Sequence, residues 1–158
     1  MPLYNMTTLR GLLRRNQRLI GLDPGSKVIG VALSDVGLTL ASPYGSLRRG
    51  KLKATAQEIL AIARKEDAGG LVIGLPLSMD GSIGPAAQAA RDWALALSDA
   101  AELPAALWDE RLSSVAVNRM LVAEADLSRG KRAAAVDRAA AAWMLQGALD
   151  ASRAAAAS

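Results

Sequence analysis

From Arg18 onward the apolar residues fall first into short runs broken by turn residues. Arg18 to Leu22 is one such run, and after Asp23-Pro24-Gly25-Ser26 a second extends from Val28 to Leu33. Ser34-Asp35-Val36-Gly37 makes a further turn, and Leu38 to Leu47 holds a third run. Three short strands joined by tight turns predict an antiparallel meander. The period then changes. Between Lys51 and Asp67, Ala56, Ile59, Leu60 and Ala63 recur at helical spacing, with Gly69-Gly70 as the stop. Leu71 to Leu75 is continuously apolar, which predicts a strand buried on both faces. A turn-rich loop, Pro76 to Gly84, leads to Pro85, well suited to the first position of a helix. Ala86, Ala90, Trp93, Ala94 and Leu97 form that helix's inward stripe, and Ala105 to Trp108 is a last strand. Ser113 or Ser114 can cap a following helix. Arg129-Gly130-Lys131-Arg132 reads as a mobile basic loop before an Ala-rich helix whose core face is Ala140, Ala141, Met144, Leu145 and Ala148.

This order predicts an α/β fold, a five-stranded mixed sheet flanked by helices. One domain is expected over residues 18–152, after a basic, flexible extension (1–17) and before a frayed tail (153–158). No apolar run is long enough to span a membrane, and the arginines at 10, 14, 15 and 18 do not suit a signal peptide, so the expected location is the cytoplasm.

Composition narrows the chemistry. The 158 residues include neither cysteine nor histidine. That excludes disulfides, thiolate or imidazole metal sites, a cysteine nucleophile and any Ser-His-Asp triad. Acid, base and metal-ligand roles fall to Asp, Glu, Lys, Tyr and backbone groups. The net charge of +4 is unevenly placed: residues 1–53 carry nine cations against two acids, whereas residues 54–128 carry five against eleven. Basic ends around an acidic middle suit a polyanion that meets one face, although charge alone is more simply read as a solvated surface.

Three acids stand out. Asp23 ends the first strand, where an ionised carboxylate needs a cation or strong donors, or else starts a turn through its side chain. Asp109-Glu110 ends the last strand; adjacent residues point to opposite faces, so only one can join a given site. Asp137 falls in line with the core stripe of the last helix, which calls for a partner, either a metal or one of Lys131, Arg132 and Arg138. Acids from three distant segments, in a chain lacking other catalytic side chains, suit hard divalent cations acting on a phosphodiester. Ser26 and Lys27 follow a tight glycine turn and can face an anion. The loop from Gly74 to Pro85, with Ser82, enters a helix N-terminus, a natural phosphate seat. It lacks the lysine of a P-loop. Arg129, Lys131 and Arg132 can supply salt-sensitive backbone contacts, and Trp108 is the aromatic placed near the acids.

Four blocks in order, GLDPGSKVIGVALSD, VIGLPLSMDGSIGPAA, DERLSS with Ala116 and Arg119, and VDRAAAAWMLQGALD, resemble the YqgF (RuvX) family of pre-ribosomal-RNA nucleases and Holliday junction resolvase homologues. The resemblance spans almost everything from Arg18 to Asp150. It implies an RNase H-like fold and a metal-dependent nuclease, with Mg2+ or Mn2+ held by Asp23, Glu110 (Asp109 as the fallback) and Asp137. The substrate implied is structured RNA in small-subunit rRNA maturation, or else branched DNA. Ser26, Lys27, Ser82, Arg111, Ser113, Arg129, Lys131 and Arg132 are the expected substrate contacts, and a homodimer is compatible. The family commonly has Lys-Arg-Ile-Gly where this chain has Lys27-Val28-Ile29-Gly30, and the segment before Arg18 is longer than usual. Two other readings remain at this stage. One is a non-catalytic nucleic-acid-binding module. The other is an actin-like sugar kinase or ATPase, suggested by the Asp-x-Gly-Ser turn but disfavoured by a length that allows one such domain instead of two.

Overall fold

A computed structural model describes residues 3–25, 27–75, 84–109 and 129–157, with side chains of the last segment described from 139 to 153. The expected meander is present: β2 (Arg18–Pro24), β3 (Val28–Ser34) and β4 (Ala41–Arg48) pair antiparallel in sequence. β5 (Ala68–Leu75) then adds parallel to β2, and β6 (Ala105–Asp109) parallel to β5. The mixed sheet has six strands, one more than expected, in the order β1-β6-β5-β2-β3-β4. The extra strand is β1, Leu3–Tyr4, which pairs parallel with the start of β6.

β1 and the helix after it, α1 (Met6–Leu12), lie within the segment expected to be a basic, flexible extension. Asn5 caps α1 by accepting a 2.8 Å hydrogen bond from the Thr8 amide. Met6 and Leu9 are buried against Leu19, Val72 and the last helix. Four arginines masked a short amphipathic helix whose apolar positions, 6 and 9, are one turn apart.

α2 (Leu52–Glu66) buries Ala56, Ile59 and Ala63 as its spacing requires. It stops before the glycine pair, at Asp67, which takes a left-handed conformation (φ 53°) and returns its amide to the Ala63 carbonyl. Gly69 and Gly70 belong to β5 instead; a Cβ on Gly70 would stand 2.9 Å from a Leu9 methyl, so the glycine admits α1 against the sheet. α3 (Pro85–Ala101) starts on its proline and buries Ala87, Ala90, Ala94 and Leu97; Ala87, not Ala86, faces inward. α4 (Arg129–Ala157) is longer than expected at both ends. Residues 129–132 are its opening turn and not a loop, because Arg and Lys are good helix formers that tolerate one glycine among them. Its stripe, Ala140, Ala141, Met144, Leu145 and Ala148, is buried. Trp143 points away from that stripe and is exposed. The expected helix after Ser113 or Ser114 lies outside the described residues.

α2 and α3 cover one face of the sheet, meeting Ile20, Leu22, Ile29, Leu71 and Ile73. α1 and α4 cover the other, meeting Leu19, Ala32, Val72 and Ala106. β5 therefore sends alternate side chains into both cores, as its unbroken apolar run anticipated. Among the described residues, no helix is long and apolar enough to cross a membrane.

Asp35 organises the β3–β4 turn. Its carboxylate accepts from the Thr39 amide (2.8 Å), the Thr39 hydroxyl (2.9 Å) and the Leu40 amide (3.1 Å), holding Leu38 at φ 56°. Partial burial pushes the Asp35 carboxyl up, but these hydrogen bonds outweigh it and hold its pKa below the ordinary aspartate value. A folded-state pKa below the unfolded one stabilises the fold above the unfolded value, and the stabilisation is lost as pH falls through the folded value. Asp35→Asn is therefore expected to lower Tm at about pH 7 and to bring variant and wild type progressively together as pH falls below the ordinary aspartate range. Thermal melts across that range check it; a constant gap down to acid pH would contradict the account.

Candidate active site at the carboxyl end of the parallel strands

Asp23 is the penultimate residue of β2 and pairs with Gly30 of β3. Its direction follows from its neighbours. Ile20 and Leu22 pack on the α2/α3 side and Leu19 on the α4 side. Between them a Cβ added to Gly21 would meet the Leu145 Cβ of α4 at 2.9 Å. Strand alternation thus puts Asp23 on the face that α4 covers. Asp23 is half-buried, and its carboxylate makes no hydrogen bond or ion pair to another described residue.

One step beyond the Leu22–Ile73 pair comes Gly74, itself opposite Trp108 of β6. Gly74 has no side chain, so across β5 the next group on this face is Trp108, roughly 10 Å away at two strand spacings. Trp108 is half-buried, and its indole nitrogen would lie 3.4 Å from a Cβ on Gly147 of α4. Asp23 and Trp108 therefore stand on one face at the carboxyl ends of the parallel strands, the usual ligand position in open α/β sheets.

The turn after Asp23 is built around Gly25. Its amide donates to the Val28 carbonyl at 2.9 Å, and a Cβ at this position would sit 2.6 Å from that oxygen. Glycine is required there by close approach. Arg49, which the sequence did not single out, braces the turn. Its guanidinium donates to the Gly25 carbonyl at 2.8 Å and lies 5.3 Å from the centre of the Trp93 ring, and its amide donates to the Lys27 carbonyl at 2.9 Å. Trp93, assigned only to the core, carries this cation on its face. Lys27 is exposed at the tip of the turn.

Asp109 pairs with Leu75 at the end of β6. It alternates away from Trp108 and shares the side of Leu107, which packs on the α2/α3 core. That leaves the fallback acid on the opposite face of the sheet from Asp23. Glu110 lies outside the described residues, as do Ser26, Ser82, Arg111 and Ser113. Position 137 is on α4, one turn before Ala141, whose carbonyl oxygen would be 3.4 Å from a Cβ on Gly21. Later residues of α4 approach the opposite end of β2: Ser152 bonds Arg10, and Gln146 bonds Thr39 and Ala41. The helix therefore runs antiparallel to β2, with its amino-terminal half toward Asp23. The side chains of Asp137, Arg129, Lys131 and Arg132 lie outside the described residues. Among the described residues no three acids gather, since two of the three expected ligands are not among them.

A meander extended by two parallel strands, helices on both faces and an acid ending the first long strand define the RNase H-like class of α/β folds. A family model described as RuvX, Holliday junction resolvase, matches residues 17–151, and the chain belongs to the RuvX family. A protein of Gluconacetobacter diazotrophicus bearing the name "Putative pre-16S rRNA nuclease" is 68% identical, covering 96% of this chain and 98% of that one. A protein of the same name from Acidiphilium cryptum is 67% identical, covering 95% of this chain and 94% of that one. Among solved structures, Thermus thermophilus RuvC in complex with a Holliday junction substrate aligns with a TM-score of 0.51 at 15% identity, over 85% of this chain and 94% of that chain. The yeast mitochondrial Holliday junction resolvase Ydc2 aligns with a TM-score of 0.50 at 9% identity, over 92% and 82% respectively. At such identities the likeness concerns the fold alone.

Proposed function

We propose that this RuvX-family nuclease acts in the cytoplasm on the precursor of 16S rRNA, hydrolysing phosphodiester bonds with one or two Mg2+ or Mn2+ ions held by Asp23, Glu110 and Asp137. The observation that carries this reading is Asp23: a half-buried carboxylate without a described partner, facing α4 at the end of β2. Such a group fits a hard cation, because an ionised carboxylate partly removed from water needs compensation. Glu110 suits the second position better than Asp109, which stands on the other face. Asp137 suits the third by its place one turn before Ala141 on a helix running toward Asp23.

The bound ions would supply the charge that stabilises the phosphate and makes water acidic enough to attack at neutral pH. The protein's part is to hold three carboxylates on elements fixed by packing. Arg49 and Gly25 set the turn beside Asp23, and Lys27, with Ser26, takes a non-bridging phosphate oxygen. Ser82, Arg111, Ser113, Arg129, Lys131 and Arg132 complete the substrate contacts in this reading. With no histidine in the chain, an imidazole base plays no part.

RNA is preferred over branched DNA because the close relatives carry the rRNA name, whereas the junction-binding likeness is distant. Labelled 16S-precursor RNA and a four-way DNA junction, each incubated with Mg2+, Mn2+ or EDTA, test both points. Cleavage of the RNA with either metal and none in chelator is expected. Activity that survives exhaustive chelation would remove the metal, and cleavage confined to the junction would reassign the substrate.

A further inference from the structure

The sequence from residue 36 to 57 contains four cations, Arg48, Arg49, Lys51 and Lys53, and no acid. The fold brings them to the Asp23 end of the sheet. Asp23 pairs with Gly30, Gly30 with Ser46, and two residues on Arg48 pairs with Val28. Leu47 packs into the α2/α3 core, so by alternation Ser46 and Arg48 lie on the face that Asp23 shares. Two strand spacings separate the Asp23 and Ser46 backbones, roughly 10 Å.

The patch continues around the end of β4, the outermost strand. Lys51 is the residue preceding α2 and Lys53 lies in its first turn, which contains no acid. Helices favour acids at that end, so helix stability does not account for two lysines there. Arg49 is committed to Gly25 and Trp93. Lys27, Arg48, Lys51 and Lys53 are exposed, and none forms an ion pair among the described residues. Like charges gathered without counter-ions raise the local potential and favour a polyanion.

We propose that Arg48, Lys51 and Lys53, continuing from Lys27, form a track for the sugar-phosphate backbone of the RNA strand leaving the Asp23 site across the end of β4. The track rests on the nuclease reading of that site, and it contacts phosphates without reading bases.

The test compares two charge-matched variants of the full chain. One is Arg48→Ala/Lys51→Ala/Lys53→Ala. The other is Arg14→Ala/Arg15→Ala/Lys65→Ala, three exposed cations at the far end of the sheet. Binding of a labelled single-stranded RNA is measured in EDTA over a range of salt, so that no cleavage is needed. The track variant is expected to lose about tenfold in affinity at low salt and to flatten the log affinity against log salt slope by about 2, while the far-end variant stays near wild type. Equal losses in both variants, or an unchanged slope in the track variant, would overturn the proposal. Failure of the metal reading appears elsewhere, as undiminished cleavage by an Asp23 variant, and leaves this comparison intact.

Discussion

Asp23→Asn is expected to reduce cleavage on the order of a thousandfold while leaving RNA affinity within about threefold of wild type. The substitution keeps the shape of the side chain and removes its charge, so in the proposed mechanism it removes a metal ligand without disturbing the turn at Gly25. Charge stabilisation by a divalent ion contributes several kcal/mol to a phosphoryl transition state, and each 1.4 kcal/mol is about tenfold in rate. Binding depends instead on cations around the site, which the substitution leaves in place. Single-turnover cleavage and a parallel binding titration separate the two effects. A variant that cuts as fast as wild type would sink the mechanism and leave a binding protein with a nuclease fold.

Leu145→Ala is expected to give the largest loss of stability of any single change described here, about 2–5 kcal/mol. Leu145 is fully buried on α4 and stands directly over Gly21 of β2. The cavity left behind cannot be filled from the sheet side, where Gly21 has no atoms to offer. The loss is a large part of the 5–15 kcal/mol that holds a domain of this kind together. Chemical denaturation reads it directly, and a change below about 1 kcal/mol would mean that α4 collapses onto the sheet more freely than its packing implies.

What could be read from the sequence depended on how periodic each segment is. β2, β3, β5 and the stripes of α2 and α4 bury apolar residues at regular spacing, and the spacing alone located them. α1 escapes a reading by periodicity because it has only two buried positions, Met6 and Leu9, among mostly polar, charged and small neighbours. The stop of α2 was misplaced for a different reason: Asp67 adopts a conformation usually left to glycine, while the glycines after it serve close packing. At the site, Asp23 stands out in the sequence because a carboxylate ending an apolar strand is locally anomalous. The facing of Asp109, away from Trp108 and Asp23, comes from strand register, which no local pattern supplies. Arg49 was missed because its role comes from Gly25 and Trp93, remote partners that no local pattern announces.

Arg10 has a wider consequence than its two hydrogen bonds, 3.3 Å to the Leu38 carbonyl and 3.1 Å to the Ser152 hydroxyl, suggest. It ties the first helix to the last, so α1 and the late part of α4 are held together at the end of the sheet away from Asp23. A fluorophore or solid support attached at exposed Gly11 of α1 or Arg153 of α4 therefore stands clear of Asp23 and of a bulky RNA bound there.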